Sequence, residues 1–499
     1  MGSSPTLDRI NALSRRLFEH PADAAAHYEA GRLHLAQGAA ERAAAHLRVA
    51  VAADPASAAH WGTLAMALLA VRRHEPARRA AAQAIAIDAG NAEGWCVRGA
   101  LCAQAGEREA ARAHFERALH ADPGLAHALL GFAANEAAAD RIPAAIAAYA
   151  RAAAMHPGLA AAHYELGVLH HRRLGDLENA AKHYRAAIAA DPAHASAHHN
   201  LSHALLLGGH FDAAWLEHAW RPPRMRHEAG LARRGAHYAL PALGTADAPR
   251  LAILAEQGLG DTLFFLRFAP ALRARGPILD FVGDARLHAM LLRSGLFAAA
   301  AEKATALPTA ARLEVLAGDL PLLATSVPPP PPLALPPEPD RLRSMRERLA
   351  SLGKPPFVGI AWRAGEIATG AQETLLKQAP LEVLARLLPP GEATLLCVQR
   401  EPTAEELDAA ARAIGRPLHD LSEVNRDLEA ALALMHVLDD YVGVSSTLVH
   451  LRAAAGLGAG VLVPFPPEWR WMAAGASPWF PGMQVGRQAA DGRWPPAFS

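Results

Sequence analysis

The chain has 499 residues, enough for several domains and more than one core. Lys plus Arg and Asp plus Glu balance at 49 each, so no global charge points to nucleic acid or to a membrane surface. Cys96, Cys102 and Cys397 form neither a paired framework nor a zinc spacing, which fits a reducing compartment and predicts a cytoplasmic protein.

The N-terminal MGSSPTLDRINALSRRLF lacks the continuous apolar core of a secretory signal. No run of about 18 apolar residues occurs, so no membrane span is expected. Gly2 and Thr6 fit the loose myristoylation pattern, but it is short and no second anchor stands nearby.

From there to residue 221 the chain is a repeat array. Turn signals fall at His20-Pro21, Asp54-Pro55, Asp88-Ala89, Asp122-Pro123, His156-Pro157 and Asp191-Pro192, a period of 34 that slips once to 35. That is the period of tetratricopeptide (TPR) repeats. Small residues recur where the helices of a hairpin must touch: Gly31, Ala65, Gly99, Ala133 and Gly167 in the first helix, and Ala43, Ala77, Ala111, Ala145 and Ala180 in the second. Larger anchors, among them Trp61, Trp95, Leu47, Phe115, Tyr149 and Tyr184, stand at fixed offsets. One hairpin cannot bury its apolar face, so stacked neighbours build a continuous core and a concave surface suited to a protein or peptide. The pattern predicts an N-terminal helix or cap over 1–23 and repeats over 24–221, five full and one degenerate near Trp215.

Twenty of the 26 histidines precede residue 221. They are scattered through repeat positions, and no His-x-x-x-His pair comes with a carboxylate ligand motif, so no metal site is expected. His163, His170 and His171 are candidates to line the concave face against a polypeptide.

After a connector over 222–249 the texture changes. Residues 251–255, 278–282, 357–361, 394–398, 440–444 and 460–463 read as short buried strands. Amphipathic stretches at 262–275, 284–294, 379–388, 403–414, 427–438 and 447–456 alternate with them. Alternation of this kind gives parallel sheets flanked by helices, with ligands bound beyond the carboxyl ends of the strands. The proline-rich 326–340 reads as an extended linker between a lobe at 250–325 and a lobe at 341–499.

Five stretches carry a resemblance: EQGLGDTLFFLRFAPAL (256–272), VGIAWRAG (358–365), LLCVQRE (395–401), the block from LHDLSEVNRDL to VSSTLVHLRAAAG (418–456), and VLVPFPPEWRWM with SPWFPGMQVGRQ at the end. The second half resembles the GT-B glycosyltransferases, in particular the bacterial heptosyltransferase-like family and its fusions to TPR repeats. The repeat-plus-GT-B plan is shared by eukaryotic O-GlcNAc transferase, without a close motif match. The resemblance implies an α-helical TPR solenoid followed by an α/β GT-B fold of two Rossmann-like lobes. It implies transfer of a sugar from a nucleotide-diphosphate donor, a substrate rather than a cofactor, without a metal. Helix N-termini and basic side chains would stabilise the leaving diphosphate.

Carried over by residue, the resemblance makes Asp261 the general base on the acceptor, with Glu256 in reserve. The plainer reading of Asp261 is an acidic residue that favours the helix dipole. Gly258 and Gly260 are expected to let the turn run tightly so that Asp261 faces the cleft. Lys377, just before Ala379-Pro380-Leu381, and Arg363, after the strand at 357–361, are candidates to neutralise donor phosphates; either also reads as a surface cation. In VSSTLVHL the family's Asp and Thr are replaced by Ser445 and Ser446, and Thr447 stands where Gly is usual. These hydroxyls, with free amides at a helix start, still suit a phosphate. His450 would lie near the donor or pack its helix on the sheet. Gln399 would touch base or phosphates, and Gly260 completes the donor-binding set. Trp469, Trp471, Trp479 and Phe480 suit sugar stacking or, more simply, packing.

The acceptor implied is a protein or peptide hydroxyl recruited by the repeats. A surface glycan acceptor is one alternative. A non-catalytic TPR scaffold with a degenerate GT-B domain, favoured by the lost Asp, is the other.

Overall fold

The computed structural model describes residues 5–240, 250–307, 312–324, 329–364, 377–389 and 391–498. The Gly2 end of the myristoylation pattern, the end of the expected connector and the start of the proline segment lie outside them. The chain divides into two compact units, 1–169 with 186–193, and 170–185 with 194–499.

The first unit is helical. After Pro5–Glu19, paired helices follow at Ala24–Ala36 and Ala40–Ala53, Ala58–Ala70 and His74–Ile87, Ala92–Gln104 and Arg108–Ala121, and Ala126–Ala138 and Ile142–Met155. The recurring turn residues have a local cause. The carboxylates of Asp54, Asp88 and Asp122 each accept a hydrogen bond from the backbone N–H two residues on, at 3.3, 2.8 and 2.9 Å. An Asx turn of this kind offers the chain a ready exit from one helix before the next begins. Asp23, Ser57 and Asn91 then cap the following helices through their side chains. Trp61 and Trp95 fasten helix to turn by donating Nε1–H to the carbonyls of Pro55 and Ala89, at 3.0 and 2.8 Å.

The small positions are explained by their partners. A Cβ on Gly31 would meet Leu47 Cγ at 2.5 Å, and a Cβ on Gly99 or Gly131 would meet the Phe115 ring at 2.8 or 2.5 Å. Phe115, 1% exposed, therefore keys into helices on both sides. Phe115→Ala should destabilise the array by about 3–5 kcal/mol in denaturant unfolding. A loss below about 1 kcal/mol, the size of an ordinary substitution, would remove the ring from that role.

The second unit takes in the helices Ala195–Leu207, Phe211–His218 and Pro222–Ala232, and two larger sheets. Strands β1 (Arg250–Leu254), β2 (Ile278–Val282), β3 (Phe297–Ala301) and β4 (Arg312–Leu316) form the first, all parallel, in the order β3-β2-β1-β4. Strand β5 (Phe357–Ala361) is followed by a two-residue antiparallel ladder, β6 (Arg363–Ala364) with β7 (Lys377–Gln378). Then come β8 (Thr394–Cys397), β9 (Leu418–Asp420), β10 (Asp440–Val444), β11 (Gly460–Val463) and β12 (Gln484–Arg487). These join β5 in the second sheet, again parallel, in the order β12-β11-β10-β5-β8-β9. Central strands β1, β5 and β10 are largely buried apolar runs, as strands covered on both faces require.

Strands β3, β4, β6, β7, β9 and β12 were not among those expected, and the connector and linker also differ from expectation. The expected connector contains the helix Pro222–Ala232. The expected linker contains the start of the helix Pro339–Leu352, where Glu338 caps the amides of Asp340 and Arg341 and Pro339 occupies the first turn, in which its missing N–H costs nothing. Nor does the segment before that helix stand free. Leu335 is 1% exposed; its N–H donates to Ala454 O at 3.1 Å and its carbonyl lies 3.1 Å from His436 Nε2.

Candidate functional site

The chain leaves β1 through Ala255-Glu256-Gln257-Gly258 and enters the helix Leu259–Phe265, so Asp261 sits in the first turn. It leaves β10 through Ser445 and Ser446 and enters the helix Thr447–Ala454. Both turns lie at carboxyl ends of parallel strands, where a doubly wound sheet opens its crevice. The two helices meet at Gly260. A Cβ there would come within 3.1 Å of His450 Cδ2, 3.3 Å of its Nε2 and 3.8 Å of Thr447 Oγ1. Neither Gly258 nor Gly260 has a positive φ. Gly260 thus serves close helix approach rather than the tight turn the sequence suggested.

A chain of charges runs across this contact. Asp261, with 35% of its side chain exposed, accepts from Arg470, which is 6% exposed and also donates to Glu468. Glu468 pairs with Lys377 Nζ at 2.7 Å and accepts from Ser445 Oγ at 3.0 Å. Burial pushes the Glu468 carboxyl up, but Lys377 and Arg470 outweigh it and hold the group well below the carboxylate range. For Arg470, burial opposes the charge while Asp261 and Glu468 sustain it, and the net direction is upward. Its guanidinium lies over the rings of Trp469 and Phe264, at 4.3 and 4.8 Å from their centroids.

His450 is 7% exposed, beside Gly260 and 5.3 Å from the Phe480 ring centroid. Burial, together with Arg470 and Arg267, lowers its pKa well below the usual imidazole value, so the ring is neutral at pH 7. Ser446 Oγ is buried, with the Tyr441 hydroxyl as a polar neighbour. Asp261, Gly260, Lys377, Ser445, Ser446, Thr447 and His450 therefore converge on one place. Glu468 and Arg470, which join them, were absent from the residues expected there. Their one signal was a Glu-x-Arg pair within the quoted VLVPFPPEWRWM.

Three candidates go elsewhere. The Glu256 side chain is 5% exposed and receives both Nε and Nη2 of Arg221, at 2.7 and 3.0 Å, and the amide of Gly318 at 3.0 Å. Arg363 is bound to Glu406 by two hydrogen bonds, at 2.8 and 2.9 Å. Gln399, 1% exposed, accepts from the amides of Trp362 and Arg363 and so shapes the bend after β5. The Trp469, Trp471, Trp479 and Phe480 cluster is buried, at 6, 0, 1 and 1% exposure, and packs with Trp215 and Phe264 as core.

Chemically, the convergence offers one partly exposed carboxylate, one partly exposed ammonium, three hydroxyls and the first amides of a helix. Helix amides beside an ammonium are groups able to hold an anion, and an exposed carboxylate is a group able to accept a proton.

Among the described residues no helix is long and apolar enough to cross a membrane. A search of curated proteins returns no match. Solved structures that match include YrrB, a TPR protein with an unusual peptide-binding site (20% identity, 37% of this chain and 95% of that one, TM-score 0.26), and the type IV pilus biogenesis factor PilW (20%, 43% and 98%, TM-score 0.35). A thermophilic TPR protein of Thermus thermophilus is similar at 23% identity over 36% of this chain and 88% of that one, TM-score 0.28. The tetratricopeptide repeat family model matches residues 10–58, 63–126, 130–195 and 169–217, and the N-terminal region of the chain is an α-helical array of these protein-interaction repeats.

Proposed function

We propose that the chain is a metal-independent GT-B glycosyltransferase, in which Asp261 takes the proton of an acceptor hydroxyl as that oxygen attacks a nucleotide-diphosphate sugar. The observation that carries this reading is the meeting of the turns after β1 and β10 at Gly260, beside Thr447 and His450, with the Asp261 carboxylate linked through Arg470 and Glu468 to Lys377 and Ser445. Lys377 and the first amides of the helix Thr447–Ala454 would take the diphosphate, with Lys377 exchanging Glu468 for phosphate oxygen. Neutral His450 suits a hydrogen-bonding role there better than a charge-neutralising one. Glu256 suits a structural role, because Arg221 and Gly318 already use its oxygens. The repeats suit recruitment of a protein or peptide acceptor, since stacked hairpins offer an extended surface.

A second reading, a non-catalytic repeat scaffold, is favoured by one observation. Asp261, Arg470, Glu468 and Lys377 already pair with one another without a ligand, although Arg470 Nε is left with no hydrogen-bond partner among the described residues. A thermal-shift screen of nucleoside diphosphates and their sugars separates the two. The enzyme reading expects one nucleotide to raise Tm by several degrees, an increment lost in Lys377→Ala, since a ligand at 100 times its Kd adds about 2.7 kcal/mol. No shift with any nucleotide would leave the scaffold.

A further inference from the structure

The geometry points to a zinc site formed by His199, His203 and His218 in the second unit, distinct from the proposed sugar-transfer site and independent of that reading. His199 and His203 stand four residues apart on the helix Ala195–Leu207, on one face, and His218 closes the helix Phe211–His218. One ring nitrogen from each lies within 4.8 Å of the others. A tetrahedral zinc with Zn–N bonds of about 2.0–2.1 Å holds its nitrogens about 3.3–3.4 Å apart, so small side-chain rotations complete the set.

Two observations support this trio. His199 Nδ1 and His218 Nε2 are buried with no hydrogen-bond partner among the described residues; His34, His60 and His114 each have such a nitrogen too, but among those residues only in this trio do three ligand atoms gather within 4.8 Å. The other nitrogen of His218 lies 3.4 Å from Ser202 Oγ, the kind of outer contact that orients a metal-bound imidazole.

Burial, chiefly, also lowers the pKa of all three, that of His199 to about 4, so at neutral pH each ring keeps the lone pair a metal needs. The cations that act on these rings are Arg172, Arg221 and Arg470. Arg221 is paired with Glu256 and Asp319, and Arg470 with Asp261 and Glu468, so neither presents an uncompensated charge to a dication. Three imidazoles with no thiolate or carboxylate suit zinc and its borderline neighbours, with water as the fourth ligand. The site would clip the second helix of the last hairpin to the first. It was not expected from the repeat pattern because the third ligand comes from the next helix.

The test uses the full chain, stripped with a chelator and titrated with cobalt(II). The expected result is one equivalent bound, with the visible bands of a tetrahedral cobalt centre that zinc then bleaches, and a zinc-dependent rise in Tm. His203→Ala should weaken binding at least 100-fold. His203→Gln replaces it if the alanine variant does not fold, and His27→Ala, at a separate histidine contact, should leave the bands intact. Absence of tetrahedral bands in the wild type overturns the site. So does equal cobalt affinity in a folded His203 variant.

Discussion

Replacing Asp261 with Asn lowers the rate of sugar transfer about 100-fold or more and leaves the nucleotide-dependent thermal shift in place. The amide is nearly isosteric, and its oxygen can still accept from Arg470, so the contact between the two helices persists. What disappears is the capacity to take a proton. A loss confined to turnover, with donor binding unchanged, assigns that capacity to Asp261. A loss of donor binding and of thermal stability together would instead mark Asp261 as the anchor of Arg470, whose other carboxylate partner is Glu468. A near-normal rate removes the base from this position altogether. It would not pass readily to Glu256, whose oxygens are held by Arg221 and Gly318.

The repeats were legible because their physics is periodic. An Asp that must turn the chain, a Gly that must admit Leu47 or Phe115, and an aromatic that must reach the next helix each recur at a fixed interval, so each position confirms the others. The strands at 278–282, 357–361 and 440–444 were legible as apolar runs too short for helices. Strand β9, Leu-His-Asp, was not, because three mixed residues at a sheet edge carry no pattern. The convergence at Gly260 was only half legible. Asp261 and His450 sit in recognisable turns, but the residues that join them, Glu468 and Arg470, come from the irregular stretch after β11, where neither period nor propensity marks a side chain as buried. Arg363 and Gln399 read as ligand groups from position alone. Their partners, Glu406 and the amides after β5, are set by tertiary packing that no local window contains.

The same logic makes Arg221 the residue whose loss should harm the fold most. It is 0% exposed, and its guanidinium is shared between Glu256 and Asp319, with Asp319 Oδ1 at 2.7 Å and both oxygens of Glu256 in reach. Asp319 takes further bonds from Arg224 at 3.1 Å and Tyr238 Oη at 2.7 Å, and a Cβ on Gly318 would strike Glu256 Oε1. Removing one member of a buried ion network leaves its partners charged and desolvated, so Arg221→Ala should destabilise the second unit by about 3–5 kcal/mol. Burial by itself does not make the intact network worth that much, since replacing the whole of such a cluster with apolar side chains is often neutral. The distinguishing measurement is therefore a double-mutant cycle. Glu256→Gln combined with Arg221→Met should cost about 1 kcal/mol or more less than the sum of the two single changes. Additive costs would mean that Arg221 and Glu256 are held separately, and would reopen Glu256 as a group free to act on an acceptor.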